Sequence, residues 1–476
     1  MSRKAQTDLG LCTATELAEL YRSGEASPVD ATRAALARIE RFNPGVNAYT
    51  YVDEEGALKA ARASASRWGQ GNQRSPLDGV PVSLKDLTDV KGMPSSEGSS
   101  TSGEGLCDSD APPAEFLREA GAVLLGQTNT PEFGWKAVTD NPRYGTTLNP
   151  WDTRLTAGGS SGGAAVAAAL NMGALHQGGD SGGSIRIPAA FTGVFGFKPT
   201  FGVVPQWPPS KMASLSQIGP LTRTVEDAVA MLKVIGRYHY RDAYAIRAQP
   251  EDWGYALKDG LKGFRIAFTT QCNSVSINPE IEKRLNVVAK EFEKLGATVE
   301  RIDPPFEDQI EVFRALWFIA SEELCSQMSD KQLEQMDPGL RACAERAKPY
   351  RGLDLFRAQV NRALLTEKLE HLFQDYDLLL SPSVPIPPFE ASDSVPPESG
   401  MRDWMEWTPY TYPFNLSEQP AASVPCGFTK EGLPIGFQVA AGKYDDLKVL
   451  RASYSYMDEH PPHFPESLNE NLKHDV

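Results

Sequence analysis

Two blocks in which serine is ringed by glycine constrain this chain more than any other stretch. The first, Ala-Gly-Gly-Ser-Ser-Gly-Gly-Ala, occupies 157–164, and the second, Gly-Gly-Asp-Ser-Gly-Gly-Ser-Ile-Arg, occupies 178–186. An apolar run of small residues, Ala164–Leu170, follows the first block and precedes the second. Glycine tolerates positive φ and lets another backbone approach closely, so such blocks expose main-chain N–H groups around hydroxyls. Acyl transfer needs that combination: a nucleophilic oxygen beside donors aimed at the charge that develops on a carbonyl oxygen. The run from Ser161 through Leu170 reads as a helix, whose N-terminal amides and dipole favour negative charge. A second short helix starts at Ser184, which puts that hydroxyl at a positive helix end.

Other stretches accompany the blocks: Gly-Val-Pro-Val-Ser-Leu-Lys-Asp at 79–86, Gly-Phe-Lys-Pro-Thr at 196–200 and Ile-Gly-Pro-Leu-Thr-Arg-Thr-Val-Glu-Asp-Ala-Val at 218–229. In this order and spacing they resemble the amidase signature family, whose members use a Ser–cis-Ser–Lys triad instead of Ser-His-Asp. The resemblance covers roughly 10–235, returns over 376–456 and is thin between. It implies Ser184 as nucleophile, Ser160 as bridging hydroxyl after a cis peptide at Gly159–Ser160, and Lys85 as base. It further implies that the backbone N–H groups of Ser181, Gly182, Gly183 and Ser184 form the oxyanion hole. Ser161, Asp180 and Arg186 fall at positions that support the serine loop; by residue type alone the last two would read as a surface ion pair. No metal or cofactor is expected.

The base carries the chemical argument. Free lysine titrates near 10.4, so only about one molecule in 2,500 is neutral at pH 7. The mechanism therefore requires Lys85, at the end of the apolar strand 79–85, to be desolvated. A histidine base has little support. The six histidines are His176, His239, His371, His460, His463 and His474, and only His176 lies near a serine block; it reads as a packing residue.

Along the chain, Thr13-Ala-Thr-Glu and Ser27-Pro-Val-Asp mark helix starts, each with a capping hydroxyl and an acid three residues on. A third helix is predicted over 54–68, another over 112–120, and a buried parallel strand over 123–129. Strand, helix, strand follow at 264–269, 281–295 and 298–302, with helix over 305–375. Such alternation predicts an α/β fold, a large twisted mixed β-sheet covered by helices on both faces. The expected organisation is one domain: helical 1–75, signature core 76–240, a variable insertion and lid at 241–400, and a return to the sheet at 401–476. Residues 382–409, rich in Pro, Ser and acid, read as a surface loop or lid and as the foremost candidate for disorder.

Composition sets outer limits. Net charge is −15 from 47 Lys+Arg and 62 Asp+Glu, an acidic surface that repels phosphate backbones and makes nucleic acid an unsuitable partner. The six cysteines are scattered without a Cys-x-x-Cys pair, a pattern of reduced cytoplasmic thiols. No apolar run reaches membrane-spanning length, and residues 1–20 lack a signal-peptide core. The substrate expected is a small amide or carbamate, with esterase side activity; a homodimer is compatible with this reading. Trp207, Trp317, Trp404, Trp407 and Tyr410 are candidate pocket walls and point to a hydrophobic or aryl group. Two alternatives stand beside it. One is the glutaminase-type subunit of a tRNA-dependent amidotransferase, against which Thr408 stands where an acid for the glutamine amine is expected. Arg341, Arg346, Arg351 and Arg357 are available for its carboxylate. The other is a non-catalytic binding scaffold, which would have no need of all three groups of the triad.

Overall fold

Helix starts are written in local side chains, and the first two form where their caps stand. Thr13 accepts the Glu16 amide while the Glu16 carboxylate accepts the Thr13 amide, opening helix Ala14–Ser23. Ser27 and Asp30 repeat this exchange at the head of helix Pro28–Val46, with Pro28 in its first turn. Helix Glu54–Gly69 follows. The computed structural model describes residues 8–247, 253–272, 275–465 and 467.

The chain then builds a sheet whose central strands are buried on both faces, while the edge strand Thr298–Arg301 is largely exposed. From the N-terminal half come β1 (Tyr49–Val52), β2 (Pro81–Lys85) and β3 (Val123–Thr128). A separate short pair follows, β4 (Asp140–Asn141) with β5 (Gly145–Thr146). Next in the main sheet are β6 (Leu175–Asp180), β7 (Phe195–Lys198) and β8 (Gln217–Thr222). The C-terminal half adds β9 (Arg265–Phe268), β10 (Thr298–Arg301), β11 (Leu378–Pro382), β12 (Ala421–Phe428) and β13 (Pro434–Ala440). The order across the 11 strands is β1-β3-β2-β6-β8-β7-β12-β13-β11-β9-β10. β2 runs parallel to β3 and β6, and β9 parallel to β10 and β11, while the strands between are antiparallel. The expected α/β mixed sheet is what forms.

Side chains alternate across a strand, so a run such as Leu378-Leu379-Leu380 feeds two cores at once. Leu378 and Leu380 join one buried cluster with Phe197 and Phe437, and Leu379 joins a second with Phe313 and Trp317. That is why these strands read as unbroken apolar runs.

Residues 382–409 differ from the expectation of disorder. Trp404, Met405 and Trp407 are buried in a short 3-10 turn, and the Thr156 amide donates to Phe389 O at 2.7 Å. Large aromatic side chains inside a polar, Pro-rich stretch anchor it to the core. Among the described residues no helix is long and apolar enough to cross a membrane, and none of the six cysteines is in a disulfide. His474 lies outside the described residues.

Candidate active site

Parallel neighbours end at the same edge, so β2 and β6 deliver Lys85 and Asp180 to one side of the sheet. The carboxyl ends of parallel strands are where α/β sheets place their ligands. Helix Gly162–Ala169 begins there, directly after Ser160 and Ser161, and helix Arg186–Thr192 begins two residues after Ser184. The two serine blocks are joined by the Ser161 amide donating to Ser184 O at 3.0 Å. Residues far apart in the chain thus meet at one corner.

The first block owes its course to close backbone contact. A Cβ on Gly159 would lie 2.6 Å from the Val138 carbonyl carbon, so only glycine fits. The Gly159–Ser160 peptide is cis. Thr139, which donates to Gly158 O at 2.8 Å and accepts the Gly162 amide at 3.0 Å, closes the turn from outside.

Lys85 is 1% exposed. Its Nζ donates to Ser160 Oγ at 2.6 Å and to Ser161 Oγ at 3.0 Å. Burial pushes the ammonium down to about 7, and the carboxylate of Asp180 opposes that shift only in part. No carboxylate pairs with Lys85 among the described residues, unlike Lys136, which is bonded to Asp140 and Asp337. Desolvation without a counter-ion is what favours a neutral amine. Ser161 Oγ also accepts the Gly179 amide at 3.2 Å and donates to Gly179 O at 3.0 Å. Ser161 is thus engaged on both sides, whereas Ser160 Oγ has the Lys85 amine as its one hydrogen-bond partner among the described residues.

Ser184 is 6% exposed, and its hydroxyl makes no hydrogen bond to a described residue. The link from Lys85 to Ser160 is therefore made, whereas one from Ser160 to Ser184 is not.

Asp180 and Arg186 form a fully buried pair, with Arg186 Nη2 to Asp180 Oδ1 and Nε to Oδ2 both at 3.0 Å. Burial alone would raise the Asp180 carboxyl, but the Arg186 guanidinium holds it well below the usual carboxylate range. Asp180 also accepts the amides of Gly183 at 2.7 Å and Ile185 at 3.1 Å. Of the four amides expected in the oxyanion hole, Gly183's is thus already engaged. Those of Ser181, Gly182 and Ser184 donate to no described residue.

A model of one protein family, described as Amidase, matches residues 30–450. The chain belongs to the Amidase family. Among its relatives, a subunit of the glutamyl-tRNA(Gln) amidotransferase of Myxococcus xanthus (strain DK1622) is 37% identical, covering 95% of this chain and 98% of that protein. An acylamidase of Rhodococcus erythropolis is 33% identical, covering 95% and 96%. A solved bacterial aryl acylamidase of the amidase signature enzymes superposes with TM-score 0.88 at 29% identity, covering 94% of this chain and 96% of that one. The chain is an amidase-signature amidohydrolase.

In this amidohydrolase the cavity that reaches Lys85, Ser160 and Ser181 is also lined by Phe133, Met212 and Ile218. At its rim Lys211 pairs with Glu97. None of the five aromatic residues expected in the pocket lines it. Trp207 is 39% exposed, since Gln206 and Pro208 on either side turn inward instead. Trp317 is core, its Nε1 donating to Trp135 O at 3.2 Å, and Trp407 stacks on Phe191. Tyr410 lines a different cavity with Phe306 and Phe414. Trp404 packs on the second serine block instead: a Cβ on Gly182 would lie 3.2 Å from its ring and 2.8 Å from Phe313. Aromatic content locates apolar packing, and here most of it serves the core.

Sequence reading missed Gln177, Thr411, Asn415 and Gln438. The Lys85 amide donates to Gln177 Oε1 at 3.0 Å. Arg186 donates to Thr411 O at 2.8 Å, Gln438 Oε1 at 2.7 Å and Asn415 Oδ1 at 2.7 Å. Neutral partners 92 residues away for Lys85 and more than 200 away for Arg186 carry no local signal for such roles. His176 packs as expected; burial takes its imidazole down to about 3, and Nδ1 lies 2.7 Å from Ser83 Oγ.

Proposed function

We propose that this amidohydrolase cleaves carboxylic amides through an acyl-enzyme on Ser184, with Ser160 as proton relay and Lys85 as base. The observation that carries the reading is the buried Lys85 amine, 2.6 Å from Ser160 Oγ, without a carboxylate partner. Neutral Lys85 takes the Ser160 proton, Ser160 takes that of Ser184, and the Ser184 oxygen attacks the acyl carbon. The oxyanion meets the amides of Ser181, Gly182 and Ser184. The proton returns through Ser160 to the leaving nitrogen, and water then hydrolyses the ester. The hydrogen bond between Ser184 and Ser160 has to form as substrate enters; catalytic contacts in ligand-free sites are often long.

The substrate class is a small hydrophobic amide, with aryl amides, anilides and carbamates foremost and esters as side substrates. Three apolar side chains on an otherwise largely polar cavity wall, Phe133, Met212 and Ile218, support this, as does similarity to proteins named acylamidase and aryl acylamidase. The 37% identity to an amidotransferase component favours a second reading, in which the chain is a glutaminase working within such an enzyme. Against it, Thr408 is buried and uncharged. Arg346 is ion-paired with Asp403, and Arg351 and Arg357 with Asp354, which leaves Arg341 of the four without an ion pair among the described residues.

Nitroanilide hydrolysis tests the proposal. Ser184→Ala, Ser160→Ala and Lys85→Ala each lower kcat at least about 10³-fold with folding intact, and a sulfonyl fluoride abolishes wild-type turnover. An active Ser184→Ala protein refutes the nucleophile. Ammonia release from glutamine in preference to the anilide turns the substrate assignment to the second reading.

A further inference from the structure

The Gly182–Gly183 peptide, in the middle of the second serine block, is held at both edges. Its N–H, on Gly183, donates to Asp180 Oδ1 at 2.7 Å, and its C=O, on Gly182, accepts the Thr411 hydroxyl at 2.7 Å. A trans peptide is a rigid plane with these two groups pointing opposite ways, so bonds at both edges remove its rotation. The planes on either side carry the amides of Gly182 and Ser184, which donate to no described residue. All three planes hinge at two glycines, the residues with the widest dihedral freedom. Without a clamp this loop would be among the softest segments of the site.

Asp180 belongs to the same block, but Thr411 arrives from 229 residues away. It is buried and itself anchored, since Arg186 donates to its carbonyl at 2.8 Å. A second acceptor, Thr408 O, lies 3.1 Å from its hydroxyl. A hydroxyl has one proton, and the shorter, better contact is to Gly182 O. The fit is close. Gly183 has φ +128°, and a Cβ there would stand 2.4 Å from Thr411 Oγ1.

We propose that Thr411 is a positioning residue for the oxyanion loop: its hydroxyl, acting through the Gly182 carbonyl, sets the direction in which the Gly182 and Ser184 amides meet the substrate oxygen. The inference rests on Ser184 being the nucleophile. Thr411 touches no reacting atom. Its effect belongs to the transition state, where charge sits on the oxygen, and not to substrate binding.

The test uses the full-length enzyme and a nitroanilide substrate. Thr411→Val keeps the shape and removes the hydrogen bond; kcat falls about 10- to 100-fold while KM changes less than about twofold. Thr411→Ser keeps the bond and retains kcat within about threefold of wild type. A boronic acid that forms a tetrahedral adduct on serine loses affinity in Thr411→Val by the same factor as kcat, whereas the carboxylic acid product does not. Should Thr411→Val fold poorly, Thr411→Ala must show the same split between kcat and KM. Wild-type kcat and boronate affinity in a folded Thr411→Val or Thr411→Ala protein overturn the inference, as does equal impairment of the serine and valine variants, which would mark a packing role. An active Ser184→Ala protein would instead remove the nucleophile assignment, and that outcome is read independently of any change at Thr411.

Discussion

At residue 85 the protein keeps an amine in a place where a charge is costly, and that has consequences for pH. The amine titrates near 7 in the folded chain and near its ordinary 10.5 when unfolded. If the neutral form is the base, kcat/KM rises with pH through an apparent pKa of about 7 and levels off above it. A profile flat from pH 6 to 8 would argue against a lysine base. The stability sign follows from the same shift. Between the two values the unfolded chain holds a proton that the folded chain lacks, so stability rises with pH across that window. Lys85→Met removes this linkage. The expected outcome in thermal scans is that wild type gains on Lys85→Met as pH increases from about 7 to about 9.5. Asp180 and Arg186 make the complementary point. Six residues apart, they read as a surface pair; in the fold they are fully buried and bonded to Asn415 and Gln438. Nothing in the chain near residue 180 announces those partners.

Elements differ in how openly they declare themselves. The capped helices from Ala14 and Pro28 are legible because the side chains that open them lie within four residues. Helix Gly162–Ala169 is legible too, but its composition has a tertiary cause. A Cβ on Gly163 would stand 2.4 Å from the Asn129 nitrogen and 2.5 Å from Ala48 O, both backbone atoms. Gly163→Ala therefore costs about 1–3 kcal/mol or more in chemical denaturation, because backbone must move. Gly69, at the end of helix Glu54–Gly69, has nothing within 4 Å of the place an added methyl would take. Gly69→Ala is expected to stabilise by about 0.4–1 kcal/mol by lowering unfolded-chain entropy. The two substitutions are chemically identical and opposite in sign. Residues 382–409 go the other way: their polar, Pro-rich composition suggests disorder, while three buried side chains, Trp404, Met405 and Trp407, hold the segment in place.

For the whole molecule, sheet order ties the two halves of the chain together. β7 pairs with β8 on one side and with β12, more than 200 residues later, on the other. Arg186 in the first half completes its hydrogen bonds with Thr411, Asn415 and Gln438 from the second. A fragment of residues 1–240 thus leaves the sheet open at β7 and the serine loop without its outer supports. It is expected to show no cooperative thermal transition and no anilide hydrolysis, whereas the full chain shows both; a folded, active fragment would contradict this account.

The pairing of the glycine-wrapped serines with Lys85 was legible through the resemblance to the amidase signature family, whereas local chemistry decided, without help from the fold, where helices start and which stretches are doubly buried strands. These properties depend on residue type and near spacing, which the chain carries in plain order. Packing decided the rest. The distance from Lys85 to Ser160, the loss of Gly183's amide to Asp180, the clamp from Thr411 and the removal of the tryptophans into the core all depend on contacts between distant segments. Such contacts come from how a large mixed sheet closes its layers, and no local pattern encodes them.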